Sequence, residues 1–242
     1  MTLALAHARA LTVELARHPA YVVPTLAFPA VFFLFFASSV PADGANVRMA
    51  TFAGFGAIGV AFFQFGVGIA VERVSPWETY LRTLPVGAGV RLLARLGSAA
   101  VFAATASAVV VAVALATTEV SLSTERWLEF ATALIAGTVP FALLGIAIGY
   151  WAPARGALPL ANLLYLALSY SGGLWFPPTH LPGAVGRLSP YLPTRALANV
   201  LAAPATGAAP AWRSWCALAV FAAAFGVIAA WGYRRDESRR YG

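Results

Sequence analysis

The chain has 242 residues, of which 60% are hydrophobic and only 10% charged, with a mean hydropathy of +0.77; this composition excludes an ordinary soluble domain. The formal net charge of +7 comes from arginine residues at the ends of apolar runs. Because membrane topology demands that placement, we reject nucleic acid as a partner. The single cysteine, Cys216, excludes an intramolecular disulfide and a cysteine-based metal site.

Residues 1–20 are predicted to form an amphipathic helix that lies at the membrane surface. Leu5, Leu11 and Leu15 follow a helical stripe among charged residues. A secretory signal is the competing interpretation. The apolar run that follows, 21–40, has the length of a membrane span rather than of a signal, so we expect an uncleaved first span.

Apolar runs of spanning length, about 20 residues each, predict six transmembrane helices. They cover residues 21–40, 51–71, 96–117, 130–151, 158–176 and 212–233. Pro41–Arg48 is expected to be a short polar turn. The second run contains glycines that would let another helix approach closely, namely Gly54, Gly56, Gly59, Gly66 and Gly68. The chain is therefore predicted to be a single all-α integral membrane domain.

The longest charged segment between two spans is Val71–Arg95. Pro76 can open a short helix at its first position, and Pro85 ends it. One apolar face of this helix recurs at helical spacing and consists of Trp77, Tyr80, Leu81 and Leu84. Such a helix either docks on a partner or lies in the lipid headgroups with Trp77 and Tyr80 as interfacial anchors. These residues alone leave both alternatives open.

The segment 177–211 is neither spanning nor plainly soluble. Prolines recur through it, so no long helix is expected to run its whole length. Two short pieces with apolar faces remain between the prolines, Leu181–Leu188 and Thr194–Leu201.

The distribution of arginine predicts the orientation. With the N-terminus inside, eleven of the 16 cationic residues, all of them arginine, fall on cytoplasmic segments. This imbalance predicts that both termini and Val71–Arg95 are cytoplasmic and that 177–211 is external.

Charged side chains are absent from the predicted spans away from their ends. The polar groups at depth include Gln64, Asn162, Ser169 and Ser171, and the lack of ionisable residues weighs against an ion-coupled pump. No P-loop, zinc-protease or nucleophile-elbow motif is present. We therefore predict no catalytic residue, no metal site and no cofactor bound by this chain.

Two motifs, one on each side of the membrane, match a known family pattern. After the second span, E-R-x-x-G-W followed by L-R-x-x-P is matched by Glu72, Arg73, Trp77, Leu81, Arg82 and Pro85, with Pro76 in place of the family's glycine. At the end of the fifth span, S-G-G-x-x-x-P-x-x-x-L-P with two later prolines is matched by Gly172, Gly173, Pro177, Leu181, Pro182, Pro190 and Pro193. In these motifs and their order, the chain resembles the permease subunits of type-2 ABC exporters.

The resemblance implies a half-transporter with six spans, an N-terminal interfacial helix and short re-entrant helices between spans five and six. It would pair with a second permease, identical or related, and bind separate ATPase subunits that hold ATP and magnesium. The resemblance assigns the ATPase-coupling role to Glu72, Arg73, Pro76, Trp77, Tyr80, Leu81, Arg82, Leu84 and Pro85. It places Pro177–Ala211 as the external re-entrant segment.

The expected function is thus the membrane subunit of an ATP-driven exporter in a prokaryotic plasma membrane. Its cargo is expected to be hydrophobic or amphipathic, such as a drug, antibiotic, lipid or glycan-linked molecule, because the spans offer aromatic and small residues but no fixed charge. A path could be lined by Phe32, Phe33, Phe35, Phe36, Phe62, Phe63 and Phe65; alternatively these side chains face lipid or pack in the core. Two rival functions are an anchor that merely recruits an ATPase, and a passive channel that conducts without a partner.

Overall fold

The computed structural model describes residues 2–37, 42–76 and 88–241. Every regular element in these ranges is a helix, which confirms the all-α prediction. Most of the predicted coupling helix, from Trp77 to Pro85, lies outside the described residues.

The described elements follow one another as ten α-helices with three short π or 3-10 segments. They are α1 (Thr2–Ala16), α2 (Pro19–Phe36), α3 (Ala42–Val60), a π-helix (Ala61–Val67), α4 (Gly68–Glu72), α5 (Ala88–Thr117), α6 (Thr124–Trp151), α7 (Ala154–Ser171), a 3-10 turn (Pro178–His180), α8 (Gly183–Leu188), a 3-10 turn (Ser189–Tyr191), α9 (Pro193–Thr206) and α10 (Trp212–Tyr241).

One long helix forms the centre of the fold. The segments α3, π and α4 are continuous from Ala42 to Glu72, and we call them the central helix. In its most apolar 18 residues, within Gly44–Glu72, 78% of the residues are buried, against 17–39% for the corresponding parts of the other long apolar helices. Helices α2, α5, α6, α7 and α9 pack around it. An apolar segment that is buried on all sides is expected at the core of a helical bundle.

Five helices are long and apolar enough to cross a membrane: Pro19–Phe36, Gly44–Glu72, Gly89–Thr117, Thr124–Trp151 and Trp212–Ser238. Helix α7, the predicted fifth span, has 18 residues but is not among them. It carries Arg155 and Asn162, which lower its apolar character. It ends at Ser171, before the predicted end at residue 176, because Gly172 and Gly173 turn the chain. The count of six spans remains a prediction.

The predicted polar turn at Pro41–Arg48 is wrong from Ala42 onward, where the central helix already begins. A tertiary contact fixes this first part of the helix. The Asn46 side chain donates to the Ser121 carbonyl and accepts from the Ser121 N–H, both at 2.9 Å. By the predicted orientation, we call the Ala42 end of the central helix its outer end and the Glu72 end its inner end. This pair joins the outer end to the connection before α6, where Ser123 caps the next helix.

The two terminal helices pack on different sides of the bundle. Helix α1 lies against α5, and α10 lies along α6. The arginine-rich segment after residue 233 continues α10 as far as Tyr241. The C-terminal charges are therefore presented on a helix beside the inner end of α6.

Candidate functional site

The inner end of the central helix carries the predicted coupling residues Glu72 and Arg73. Arg73 Nη1 forms an ion pair with Asp236 Oδ1 at 2.9 Å, and Arg73 Nη2 donates to the Ala152 carbonyl at 2.6 Å. Both side chains of the ion pair are largely buried, with 18% and 11% of their surface exposed. One arginine thus joins three helical ends, those of the central helix, α6 and α10.

The Glu72 side chain pairs with a different helix, α5. Its carboxylate oxygen Oε2 accepts from Arg95 Nη2 in a close ion pair. Arg95 lies two turns into α5, so this pair links the inner end of the central helix to α5. Because Arg73 and Glu72 are adjacent, the two pairs hold this end from two sides.

Aromatic side chains stabilise the same inner end. Trp151 Nε1 donates to the Ile228 carbonyl at 3.1 Å, and the Arg235 guanidinium lies 4.8 Å from the centre of the Trp151 ring. Tyr150 meets Tyr233 edge to face at 5.5 Å. These contacts fix the position of α10, and with it that of Asp236, the partner of Arg73.

The predicted coupling helix starts from this fixed end. Pro76 is helical and exposed, and the helix predicted to begin at this proline otherwise lies outside the described residues. The chain enters the undescribed segment 77–87 just after the Glu72–Arg95 pair and returns at α5, which carries Arg95 itself. Both ends of this loop are therefore connected by one ion pair.

On the outer side, the glycine motif allows close packing at the end of α7. A Cβ atom on Gly172 would overlap Thr194 Oγ1. That hydroxyl donates to the Leu168 carbonyl at 2.6 Å, in the last turn of α7. Gly173 has a φ of +81°, which glycine adopts at little cost. The two glycines thus end α7 and bring α9 against it.

The prolines of the motif each begin or border a short element. Pro177 precedes the first 3-10 turn, Pro182 caps α8, Pro190 lies in the second 3-10 turn and Pro193 starts α9. Helix α9 is longer than the predicted piece Thr194–Leu201 and reaches Thr206. It packs against α3, α6 and α10 rather than projecting outward. The re-entrant placement of this segment stays a prediction.

The aromatic side chains of the bundle include two groups in different surroundings. Phe33, Phe62 and Phe65 are buried in the core. A connected set of rings instead covers one side of the outer half of the bundle, and we call it the aromatic face; it consists of Phe28, Phe32, Phe36, Tyr170, Trp175 and Phe176. Phe36 and Phe176, for example, meet at 5.5 Å.

Comparison with known proteins agrees with this architecture. Residues 37–231 match the family described as "ABC-2 family transporter protein". The chain belongs to the ABC-2 transporter family. It is also similar to the protein named "Putative transport permease YvfS" from Bacillus subtilis (strain 168), with 22% identity over 228 residues, 92% of this chain and 93% of the relative. No solved structure matches the chain.

The ABC-2 chain brings together only part of what its motifs predicted. Glu72, Arg73 and Pro76 lie at one end of the central helix, and the outer motif forms one contiguous turn region. The partners of these residues were not predicted: Asp236 for Arg73, Arg95 for Glu72 and Thr194 for Gly172. Asp236 had a visible signal, since it is an acid among four arginines at the end of a span. Thr194 had none.

Proposed function

We propose that this ABC-2 protein is the non-catalytic permease subunit of an ATP-binding-cassette exporter. A separate ATPase, holding ATP and magnesium, would dock on the cytoplasmic loop that contains Trp77–Pro85. The observation that carries the proposal is the double attachment of the inner end of the central helix through Glu72 and Arg73. A loop that must transmit force needs a rigid base, and two charge-assisted links supply one, of which the Arg73–Asp236 pair is largely buried.

The cargo that we propose is hydrophobic or amphipathic. The aromatic face offers ring surfaces but no charged side chain, and Phe28 and Phe36 on it are exposed. Tyr and Trp on its outer edge can contact the polar part of an amphipathic molecule. A second permease, identical or related, would cover this face and complete the path between the two chains.

A membrane anchor that only recruits an ATPase is the alternative, and a passive channel is a third possibility. The three differ in what ATP does. The chain is purified from its native membrane in mild detergent, its co-purifying P-loop ATPase is identified by mass spectrometry, and the complex is reconstituted in liposomes. We expect ATP-dependent accumulation of a hydrophobic dye, Hoechst 33342, or of a short-chain fluorescent phospholipid in liposomes whose ATPase faces outward.

The matched control is the complex whose ATPase has its catalytic glutamate replaced by glutamine, which should bind ATP without accumulating either probe. ATP hydrolysis without accumulation, and without any effect of either probe on its rate, would favour the anchor. Probe movement through the chain alone, independent of ATP, would favour the channel.

The proposed orientation places both termini in the cytoplasm of a prokaryotic cell. In a Cys216→Ser background, cysteine at position 187, an exposed residue of α8, should react with an impermeant maleimide added outside intact cells. Cysteine at position 79 should react only after the membrane is opened. The reverse result at either position contradicts the orientation, and with it the cytoplasmic docking of the ATPase.

A further inference from the structure

Arg95 bridges two distant turns of the central helix. Its Nη2 donates to Glu72 Oε2 at the inner end, and its Nη1 donates to the Gln64 backbone carbonyl at 3.3 Å. Gln64 lies in the π-helix, eight residues before Glu72. A single guanidinium therefore connects the base of the proposed docking loop to the middle of the central helix. Only arginine offers several rigidly spaced donors for such a bridge.

The π-helix provides the carbonyl that Arg95 uses. In an α-helix the Gln64 carbonyl would accept from the Gly68 N–H. Here the Gly68 N–H bonds instead to the carbonyls of Phe63 and Phe65. The altered pattern of a π-helix commonly marks functional sites, because it leaves backbone groups available to other partners. Arg95 satisfies one of them.

Two further features fit the bridge. A Cβ atom on Gly68 would lie 3.2 Å from Arg95 Nη1. Because glycine has no side chain, it leaves room for the guanidinium. The Gln64 side chain also contacts α5, donating from Nε2 to Ser98 Oγ at 3.1 Å. Its Oε1 is buried and has no hydrogen-bond partner among the described residues. Gln64 is thus joined to α5 through both its backbone and its side chain.

The opposite side of the π-helix packs closely on α6. A Cβ atom on Gly145 would overlap the Ala61 carbonyl oxygen, and one on Gly149 would lie 2.7 Å from the Phe65 carbonyl oxygen. The π-helix is therefore packed tightly against α6, and it also contacts α7. Close packing leaves the π-helix little free space to shift into. If its polar contacts with α5 move, its hydrogen-bond register must therefore change.

We infer that Arg95 is a positioning residue that transmits movement of the cytoplasmic loop to the π-helix of the central helix. The inference rests on the proposed function. When the ATPase closes, Glu72 moves with the loop base, and Arg95 carries the movement to Gln64. A π turn and an α turn differ by one residue, so the segment offers two discrete states for the transition. The outer half of the central helix packs on α9, and this contact extends the movement to the external segment.

The test uses the intact complex with its ATPase in lipid nanodiscs, in a Cys216→Ser, Tyr191→Cys background. Position 191 is 78% exposed and lies two residues before the start of α9, so its reaction rate with a maleimide dye reports on the proposed external segment. We expect the rate to change between the nucleotide-free state and the ATP–vanadate state by about fivefold or more, the usual range of allosteric coupling. Arg95→Gln should remove this change in the complexes that still contain the ATPase.

Conservative and matched variants separate the bridge from charge alone. Arg95→Lys keeps the charge, but a single ammonium group does not supply spaced donors for both Glu72 Oε2 and the Gln64 carbonyl. The nucleotide-dependent change in labelling rate should therefore again be lost. Arg155→Gln, which removes an exposed arginine from α7, should leave the change intact. If Arg95→Gln chains fail to assemble, Gly68→Ala tests the same point, because its Cβ would lie 3.2 Å from Arg95 Nη1 and the guanidinium would have to shift by a few tenths of an ångström. A reduced change is then expected.

The inference would be overturned if the labelling rate at position 191 still changed to its full extent in Arg95→Gln or in Arg95→Lys. Where Gly68→Ala replaces Arg95→Gln, a full change in that variant has the same consequence. Loss of the change in Arg155→Gln would overturn it as well, because the effect would then follow from charge at the inner side in general. A parent protein that binds no ATPase, or that shows no response to ATP and vanadate, would instead contradict the proposed function itself.

Discussion

Replacing Trp77 by Ala or Leu81 by Asp is expected to abolish co-purification of the ATPase, whereas Arg82→Ala should only weaken it. The predicted helix Pro76–Pro85 is about 14 Å long at 1.5 Å per residue and too short to be stable alone in water. It must be held by packing of its apolar face. A central aromatic anchor in a protein cleft is typically worth about 2 kcal/mol or more, and a rim charge such as Arg82 contributes less. The measurement is a quantitative pull-down from detergent-solubilised membranes.

Trp212→Ala is the matched control, because it removes a tryptophan that is 71% exposed at the opposite end of the bundle. It should leave ATPase recovery unchanged. If Trp77 and Tyr80 serve only as headgroup anchors, the complex survives all of these substitutions and only the association of the loop with lipid suffers. Full recovery of the ATPase with both Trp77 and Leu81 changed would contradict the docking role.

The helical type and approximate positions of the elements could be predicted because they depend on local composition. Apolar runs predicted the helices that form the bundle, but their ends differ from the predicted ones, and Gly172–Gly173 end α7 before residue 176. The beginning of the central helix could not be predicted in this way. Polar residues before Arg48 suggested a turn, but the reciprocal bonds between Asn46 and Ser121 place them in a helix. That contact joins residues 75 positions apart, so no local pattern contains it.

The same limit applies to the candidate site. The motif identified Glu72 and Arg73, but their partners depend on which helices neighbour the central helix. Asp236 reaches Arg73 because α10 runs along α6, and Arg95 reaches Gln64 because Gly68 leaves space. The π-helix itself gives no signal that we identified in the sequence. Glycines were expected to permit close helix approach in the second span, yet backbone contact at the π-helix is permitted by Gly145 and Gly149 of the fourth.

The central helix connects the two motifs physically. Its inner end carries Glu72 and Arg73, while its outer half packs against α9, which Thr194 ties to the end of α7. Arg48, in the outer part of the helix, donates to the Trp175 carbonyl in the turn after α7. In our proposal, movement at either end would pass through this buried helix.

Gly145→Ala is expected to destabilise the protein strongly, although alanine favours helices over glycine by about 1 kcal/mol. The new Cβ would overlap the Ala61 carbonyl oxygen and lie 3.1 Å from Phe65 Cβ. The obstructing oxygen belongs to backbone, so α6 and the π-helix must separate. Gly145 and Gly149 have the four-residue spacing by which small residues bring membrane helices together, and overpacking of this kind costs about 1–3 kcal/mol.

Gly226→Ala provides the matched comparison, since its Cβ would lie 3.7 Å from Leu143 Cδ1, an ordinary contact on another long apolar helix. We expect the midpoint temperature for loss of the monodisperse peak in size-exclusion chromatography to fall by roughly 4–10 °C for Gly145→Ala, and to stay level or rise for Gly226→Ala. Equal midpoints for the two variants would show that α6 does not approach the π-helix at backbone distance. The close packing that limits the π-helix to discrete states would then be absent. The proposed transmission of movement through Arg95 would lose its physical basis as well.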